Sequence, residues 1–427
     1  MLLQTTDRHS LSQPPPSQPQ PQPQQHHTIC ALTRVKDQSR TLAEWLEYHH
    51  VLGIGHTFVV DDCSADDGRT WRVLKAYAKD GLVSLYTPDD VAREGCARWE
   101  RGHRAGGWLG WLLRMGRGDR ALEERRAAAC TYACGAEHVP NEGRIFSFLF
   151  AQATAPGAKH RCDWLVIFDV DEVMTIQTDL HPSGDLVSLF NDTEGGMFPI
   201  RRLPWVTMGS GGLEHRPAGL MVDNFQVGSF SPYFVKTIAR PAFVQDWNFS
   251  HWPVMADVSA LDAEEQGGKY GFRIPSPYNS LQEYAERNDI GPEEIRQVTV
   301  SVAAVEERDS SDKDKENDGG DRYDCPAPAA PLFLKHYTYR SFDEWTAHRA
   351  GRFVKSDGNL NTDIMHPRPR WLKGGDRDVF DDHPCARAYA NDFTAAMAER
   401  TRASLAARRA RWEAEGAAFP PIEEWVI

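Results

Sequence analysis

Five apolar residues in a row, Trp164-Leu165-Val166-Ile167-Phe168, run straight into Asp169-Val170-Asp171-Glu172. An apolar run of strand length without polar alternation is the pattern of a strand buried on both faces, which belongs to a parallel sheet covered by helices. Side chains two apart in a strand point the same way, so Asp169 and Asp171 are expected to share one side at the strand's carboxyl end, with Val170 on the other. Two neighbouring carboxylates repel each other and lose hydration, and a hard divalent cation between them offsets both costs. Oxygen ligands select Mg2+ or Mn2+ over Zn2+. Strand carboxyl ends are also where open α/β sheets take ligands. The plainer reading is a solvated acidic turn.

The preceding chain fits the same sheet. Ile29 to Thr33 reads as a short buried strand. Thr41-Leu42-Ala43-Glu44 has the form of a capping box, and Leu42, Trp45, Leu46 and His49 follow at helical spacing until Gly53 can stop the helix. His56 to Val60 is a second strand. A helix with Trp71, Leu74, Tyr77 and Ala78 on one face ends at Gly81, and Leu82 to Tyr86 is a third strand. Strand, helix, strand, helix, strand is the order of a parallel, helix-covered sheet. Further strands are expected at Met197 to Leu203, Phe234 to Ile238 and Leu332 to Tyr337. A helix is expected at Glu123 to Tyr132, and a surface helix at Ala388 to Glu415. Gly95 to Gly118 mixes Arg, Gly and Trp and reads as an irregular insertion. Glu306 to Asp324 is charged and nearly devoid of apolar residues, the composition of a disordered insertion.

At 427 residues the chain has room for one large α/β domain with insertions. The expected organisation is a disordered Gln/Pro-rich tail over 1–27, an α/β domain over 28–385 and a helical segment over 386–427. The net charge of −13 argues against a general binder of nucleic acid or anionic membrane. No stretch approaches the roughly 20 apolar residues of a membrane span, and Met1 to His27 has no secretory apolar segment. Eight cysteines spread over the chain suggest no compact disulfide scaffold. Cys130 and Cys134, four apart, would share a helix face with His138 as half of a metal site, but no second pair completes it, and buried small residues are the simpler reading. The sequons at Asn191 and Asn248 are too common by chance to assign a compartment.

Two more features carry chemistry. Val59-Val60-Asp61-Asp62-Cys63-Ser64 ends a buried strand ahead of a helix. A carboxylate there could accept hydrogen bonds from ribose hydroxyls or a base N–H, or simply cap the helix. With the acids a hundred residues on, it suggests one crevice lined by both. His336 lies in or just after an apolar strand, before a helix opened by Ser341 with Glu344 at the capping position; a lone His is more often structural.

These residues together resemble a glycosyltransferase of the GT-A fold, and more narrowly glycosyltransferase family 92 and the related family-2-like group. The opening block is matched by Lys36-Asp37-Gln38, Leu42, Glu44-Trp45, Glu47-Tyr48-His49, Gly53-Ile54, His56 and Val60-Asp61-Asp62, Ser64 and Asp66. Trp164 to Glu172 resembles the family's Asp-x-Asp-Glu strand, Lys236 to Pro241 with His251 a middle block, and His336-Tyr337, Ser341 and Glu344-Trp345 a closing block. This chain has Lys36-Asp37-Gln38 where the family usually has Lys-Asn-Glu, and His348 where Lys is common. The resemblance implies a Rossmann-like mixed sheet flanked by helices and transfer of a sugar, often galactose, from a nucleotide sugar to a glycan acceptor with inversion. It implies Mn2+ or Mg2+ held by Asp169, Asp171 and His336, a UDP-sugar or related donor met by Arg34, Asp61, Asp62 and Lys236, and Asp246 as base, with Asp223 and Glu214 competing for that role. Golgi residence would follow the family, although no membrane anchor is visible here. Two other readings compete. Val166 to Val173 also fits the opening of a haloacid-dehalogenase-like phosphohydrolase, with Asp169 as nucleophile and Asp171 as acid/base. The chain could also be a catalytically inactive relative that binds a glycan or partner.

Overall fold

The computed structural model describes residues 28–104, 127, 130–132, 134, 138–191, 200–211, 213–247, 250–251, 253–255, 331–338, 340–341, 343–344, 387–388 and 392–416. The Gln/Pro-rich tail, the acidic segment 306–324 and most of the expected helix at 123–132 lie outside them.

The elements run β1 (Ile29–Val35), α1 (Ser39–Leu52), β2 (Ile54–Asp61), α2 (Arg69–Lys79), β3 (Val83–Tyr86), α3 (Pro88–Arg104), α4 (His138–Thr154), β4 (Trp164–Ile167), β5 (Glu172–Ile176), α5 (Leu186–Asn191), β6 (Ile200–Met208), α6 (Met221–Asn224) and β7 (Val227–Ala239). After these come β8 (Val244–Asp246), β9 (Val254–Met255), β10 (Leu332–His336), β11 (Arg387–Ala388) and α7 (Asp392–Ala414). Among the described residues the main sheet has nine strands in the order β3-β2-β1-β4-β7-β6-β10-β5, with β11 beside β7. β1 to β4 are mutually parallel, as the βαβαβ pattern requires. β7 runs antiparallel to both β4 and β6, and β5 antiparallel to β10, so the sheet is mixed.

Helices cover both faces because the strands alternate between two apolar clusters. Ile29, Ala31 and Val35 of β1 pack with α1, α2 and α7, while Cys30 and Leu32 pack with Ile145, Phe146 and Leu149 of α4. In β4, Trp164 and Val166 take the first face and Leu165 and Ile167 the second. Arg34, Asp62 and Asp169 continue the second series past Leu32, Val60 and Ile167, which directs them toward the α4 side of the strands' carboxyl ends.

Only residues 168–171 connect β4 to β5, yet three strands separate the two in the sheet. A flat sheet at about 4.8 Å per strand would place them ~19 Å apart, whereas the connection would span at most ~18 Å if fully extended at 3.3–3.6 Å per residue, and it is not extended, because the Glu172 N–H closes a turn on Asp169 O. The sheet therefore curls, bringing β5 and β10 round toward the carboxyl end of β4. The irregular register between Pro204 and Trp205, where β7 carries extra residues, supplies part of that bend.

Several expectations need correction. β4 stops at Ile167, and Asp169 and Asp171 lie in the turn that crosses to β5, closed by the Glu172 N–H on Asp169 O at 3.0 Å, rather than along one strand edge. Thr41 and Glu44 form no capping box: α1 already begins at Ser39, and the Glu44 carboxylate accepts the backbone N–H groups of Met221 and Val222. The first part of the supposed insertion, Gly95 to Arg104, is helical and continues α3. The helix α7 is not merely superficial; Phe393, Met397, Leu405 and Trp412 are part of the core. Finally, six of the cysteines are paired, Cys30–Cys162, Cys63–Cys134 and Cys96–Cys130, so Cys130 and Cys134 are not half of a metal site. Their partners lie 34 and 71 residues away in sequence, a separation that local spacing cannot reveal.

Candidate active site

The carboxyl ends of β1, β2 and β4 form a polar rim. On one part of it the Arg34 guanidinium lies between two carboxylates, 3.8 Å from Asp62 Oδ2 and 4.0 Å from Glu142 Oε2 near the start of α4. Its Nη1 is buried and donates no hydrogen bond. The Tyr132 hydroxyl donates to Asp62 Oδ1. Asp61, one residue earlier, takes the opposite parity and accepts the Ser64 N–H at 3.1 Å, shaping the turn after β2; burial raises its pKa against the pull of that turn. Asp62 therefore belongs to the rim and Asp61 to its support.

The other part centres on Lys236 of β7, which is 1% exposed. Its ammonium donates to Asp169 Oδ2 at 3.1 Å, lies 3.5 Å from Glu172 Oε2 and sits over the Trp205 ring. The bare cost of burying this charge is offset by the two carboxylates, which raise the Lys236 pKa overall despite burial. Desolvation pulls the Asp169 pKa up, but Lys236, with help from Arg34, outweighs it and leaves the carboxyl below its ordinary value. Glu172 is fully enclosed; its Oε2 accepts the Asp169 N–H at 2.8 Å, and burial raises its pKa well above normal. His336, at the end of β10 and in register with Glu172, places Nε2 at 3.7 Å from Asp171 Oδ2 and packs on Trp205. The main-chain carbonyl of Asp171 accepts from Tyr337 N at 2.7 Å, fixing the turn to β10.

Of the residues expected from sequence, Arg34, Asp62, Asp169, Asp171, Lys236 and His336 come to this rim. Lys236 does so as the partner of Asp169 and Glu172, not as a projecting point charge. Asp246 stands elsewhere: on β8 its Oδ2 accepts from Ser147 Oγ at 3.0 Å and its Oδ1 from Trp247 N at 2.8 Å, which attaches it to the middle of α4. Asp223 accepts from Arg402 of α7. Sequence reasoning missed Tyr132, Glu142 and Trp205. None sits in a motif, and only the tertiary fold brings them to the acids.

Many residues of the matched blocks are scaffold. Glu44 and Glu344 hold the buried Arg216 between them at 3.1 Å each, and Ser341 donates to Glu344. His49 bridges α1 to β5, with Nδ1 on Trp45 O at 2.8 Å and Nε2 accepting from Met174 N at 3.2 Å; burial pushes its pKa down to about 3, so it stays neutral. Trp45 Nε1 donates to Glu172 O. These contacts fix the turn that carries the acids.

Asp169, Asp171 and His336 are donors of the kind Mn2+ or Mg2+ accepts, two carboxylates and an imidazole. Asp169 is 40% exposed and presents an open edge. Among the described residues no three His, Cys, Asp or Glu side chains form a ready-made metal group, so a cation here would need oxygens from a ligand to complete its shell. Compared with known proteins, the chain matches no protein-family model and no curated protein sequence. Among the described residues no helix is long and apolar enough to cross a membrane.

Proposed function

We propose that the chain is a glycosyltransferase that takes a nucleotide sugar at the rim of its curled sheet and passes the sugar to a glycan or glycoconjugate acceptor. The observation that carries this reading is the meeting of two separate acidic strand ends on one rim, Asp62 with Arg34 and Asp169 with Asp171, the second pair backed by Lys236 and His336. Asp62 and the idle N–H of Arg34 offer an acceptor beside a donor, which suits a nucleoside. Asp169 and Asp171 face the place where a diphosphate would follow. Asp169, Asp171 and His336 would hold Mn2+ or Mg2+, and the cation would neutralise the charge that grows on the departing nucleoside diphosphate. Lys236 keeps Asp169 ionised and oriented, so the carboxylate is ready for a cation without a change of protonation. Arg34 lends positive charge to the same rim.

Donor turnover over a panel of UDP- and GDP-sugars, with and without Mn2+, tests the reading. Wild type should hydrolyse or transfer at least one donor, and Asp169→Asn and Asp171→Asn should each lose at least about a hundredfold of that turnover while unfolding normally. Unchanged turnover in both variants defeats the proposal. Cleavage of simple phosphate esters, abolished by Asp169→Asn, would instead identify a phosphohydrolase.

A further inference from the structure

Cys130, Thr131, Tyr132 and Cys134 lie across the rim with none of them fully buried, so core packing alone does not hold them. Four other attachments do. Cys130 is bonded to Cys96 on α3, and Cys134 to Cys63, the residue next to Asp62. Arg144 of α4 donates to Thr131 O at 2.7 Å and lies over the Tyr132 ring at 6.0 Å. The Tyr132 hydroxyl meets Asp62 Oδ1. The ring also packs at the edge of the α4-side apolar cluster. Each disulfide thus closes within a few residues of Tyr132, one on either side of it. A carboxylate has about four lone-pair sites. Tyr132 takes one on Oδ1, and Oδ2 stays on the side of Arg34, 3.8 Å from the Nη1 that donates to nothing.

We propose that these residues form a strap pinned by two disulfides, and that Tyr132 on it is a positioning residue that sets the Asp62 carboxylate for the nucleoside. The inference rests on the nucleotide-sugar reading of the rim. It adds a residue and a dependence on thiol oxidation. Reduction by a dithiol breaks each S–S bond, moves two electrons and two protons to give two cysteine thiols, and converts the reagent to its cyclic disulfide. The strap is then tied only by hydrogen bonds and ring contacts, and Tyr132 leaves Asp62. The raised pKa of Tyr132, which burial and the Asp62 hydrogen bond both produce, accords with a phenol held against a carboxylate.

Two readouts test the strap. The first needs no ligand: nitration by tetranitromethane followed by peptide mapping, on protein either left oxidised or reduced by dithiothreitol, alkylated and freed of reagent. Tyr132 should be protected when oxidised and should react after reduction. It should also react in Asp62→Asn with the disulfides intact. The second is calorimetry with UDP and Mn2+, and GDP as comparator. Tyr132→Phe and the reduced, alkylated protein should each bind UDP about tenfold more weakly, with unchanged far-ultraviolet circular dichroism. The donor KM of Tyr132→Phe should rise with kcat unchanged, a split that general loosening would not give. Tighter UDP binding by Tyr132→Phe would make the residue a plug and overturn the proposal, as would equal nitration of oxidised and reduced protein. If wild type binds neither nucleotide, the glycosyltransferase reading fails and the positioning role with it. Nitration still decides whether the strap itself exists.

Discussion

Lys335 of β10 points its ammonium into the core, 2% exposed, and donates to Thr394 Oγ1 in the first turn of α7 at 2.8 Å. Its neighbour in β10, His336, faces the rim, as strand alternation requires. Burial pushes the Lys335 pKa down to about 7. The unfolded chain therefore binds this proton more tightly than the folded one. Stability on this account is lowest below about pH 7 and rises as pH climbs toward the ordinary lysine value of about 10.4. Lys335→Met should raise the unfolding free energy most at about pH 6, by an amount on the order of a few kcal/mol, and the gain should shrink toward about pH 10. Melting curves across that range measure it, and a constant gain would mean that the lysine is not neutral when folded. Lys236 is the contrasting case: an equally buried lysine whose pKa rises because two carboxylates face it. Sequence shows two lysines in apolar strands and cannot tell them apart. The difference lies in which strand neighbours each, and that is set by the crossing order of the sheet.

The element best read from sequence is the βαβαβ start. Its strands are short buried runs set between helices of clear helical spacing, and Gly53 and Gly81 end α1 and α2 with positive φ of 123° and 77°, values that suit glycine. The capping box was misplaced, for a physical reason. Thr41 and Glu44 have the right spacing, but Glu44 is claimed by Arg216 and by the amides of α6. The reciprocal cap occurs instead at the head of α3, where Asp90 accepts from Thr87 N at 2.9 Å and Asp90 N donates back to Thr87 Oγ1 at 3.4 Å. That cap and the Pro88 after it carry α3 into the Gly- and Arg-containing stretch that read as irregular. At the other end, α7 is Ala- and Arg-rich, and sequence gives no sign that Arg408 is an inward residue. It reaches the fully buried Glu47 of α1 at 2.6 and 3.0 Å and Asp80 at 2.6 Å. Burial pulls the Glu47 pKa up, but Arg408, Ser404 and Tyr77 outweigh it and leave it lowered. Glu47→Gln leaves the guanidinium with Asp80 as its one carboxylate partner among the described residues and should cost about 2–3 kcal/mol in urea unfolding, less than the full loss of a buried pair. Adding Arg408→Met should recover part of the loss, because the pair is then removed together.

For the whole molecule, the rim was legible from the sequence as two acidic strand ends expected in one crevice. The curl that closes it was not, since it follows from the short β4–β5 connection combined with a strand order that only the assembled sheet reveals. The disulfides were hidden for the same reason, each joining segments brought together by folding. Cys30–Cys162 ties the start of β1 to the approach to its neighbour β4. Cys30→Ala with Cys162→Ala should lower stability by about 2–4 kcal/mol in denaturant titration, with the other two bonds intact by mass mapping. Three such bonds form and persist where thiols are oxidised.

The four residues from Phe168 to Asp171 act on the sheet as a string acts on a bow. The curved strands cannot straighten without drawing this short span taut, and Asp169 and Asp171 ride on it. The bend of the scaffold and the spacing of the two acids are therefore a single variable. A loop extended here would slacken both at once, and a ligand that grips both acids would stiffen strands far beyond its own footprint.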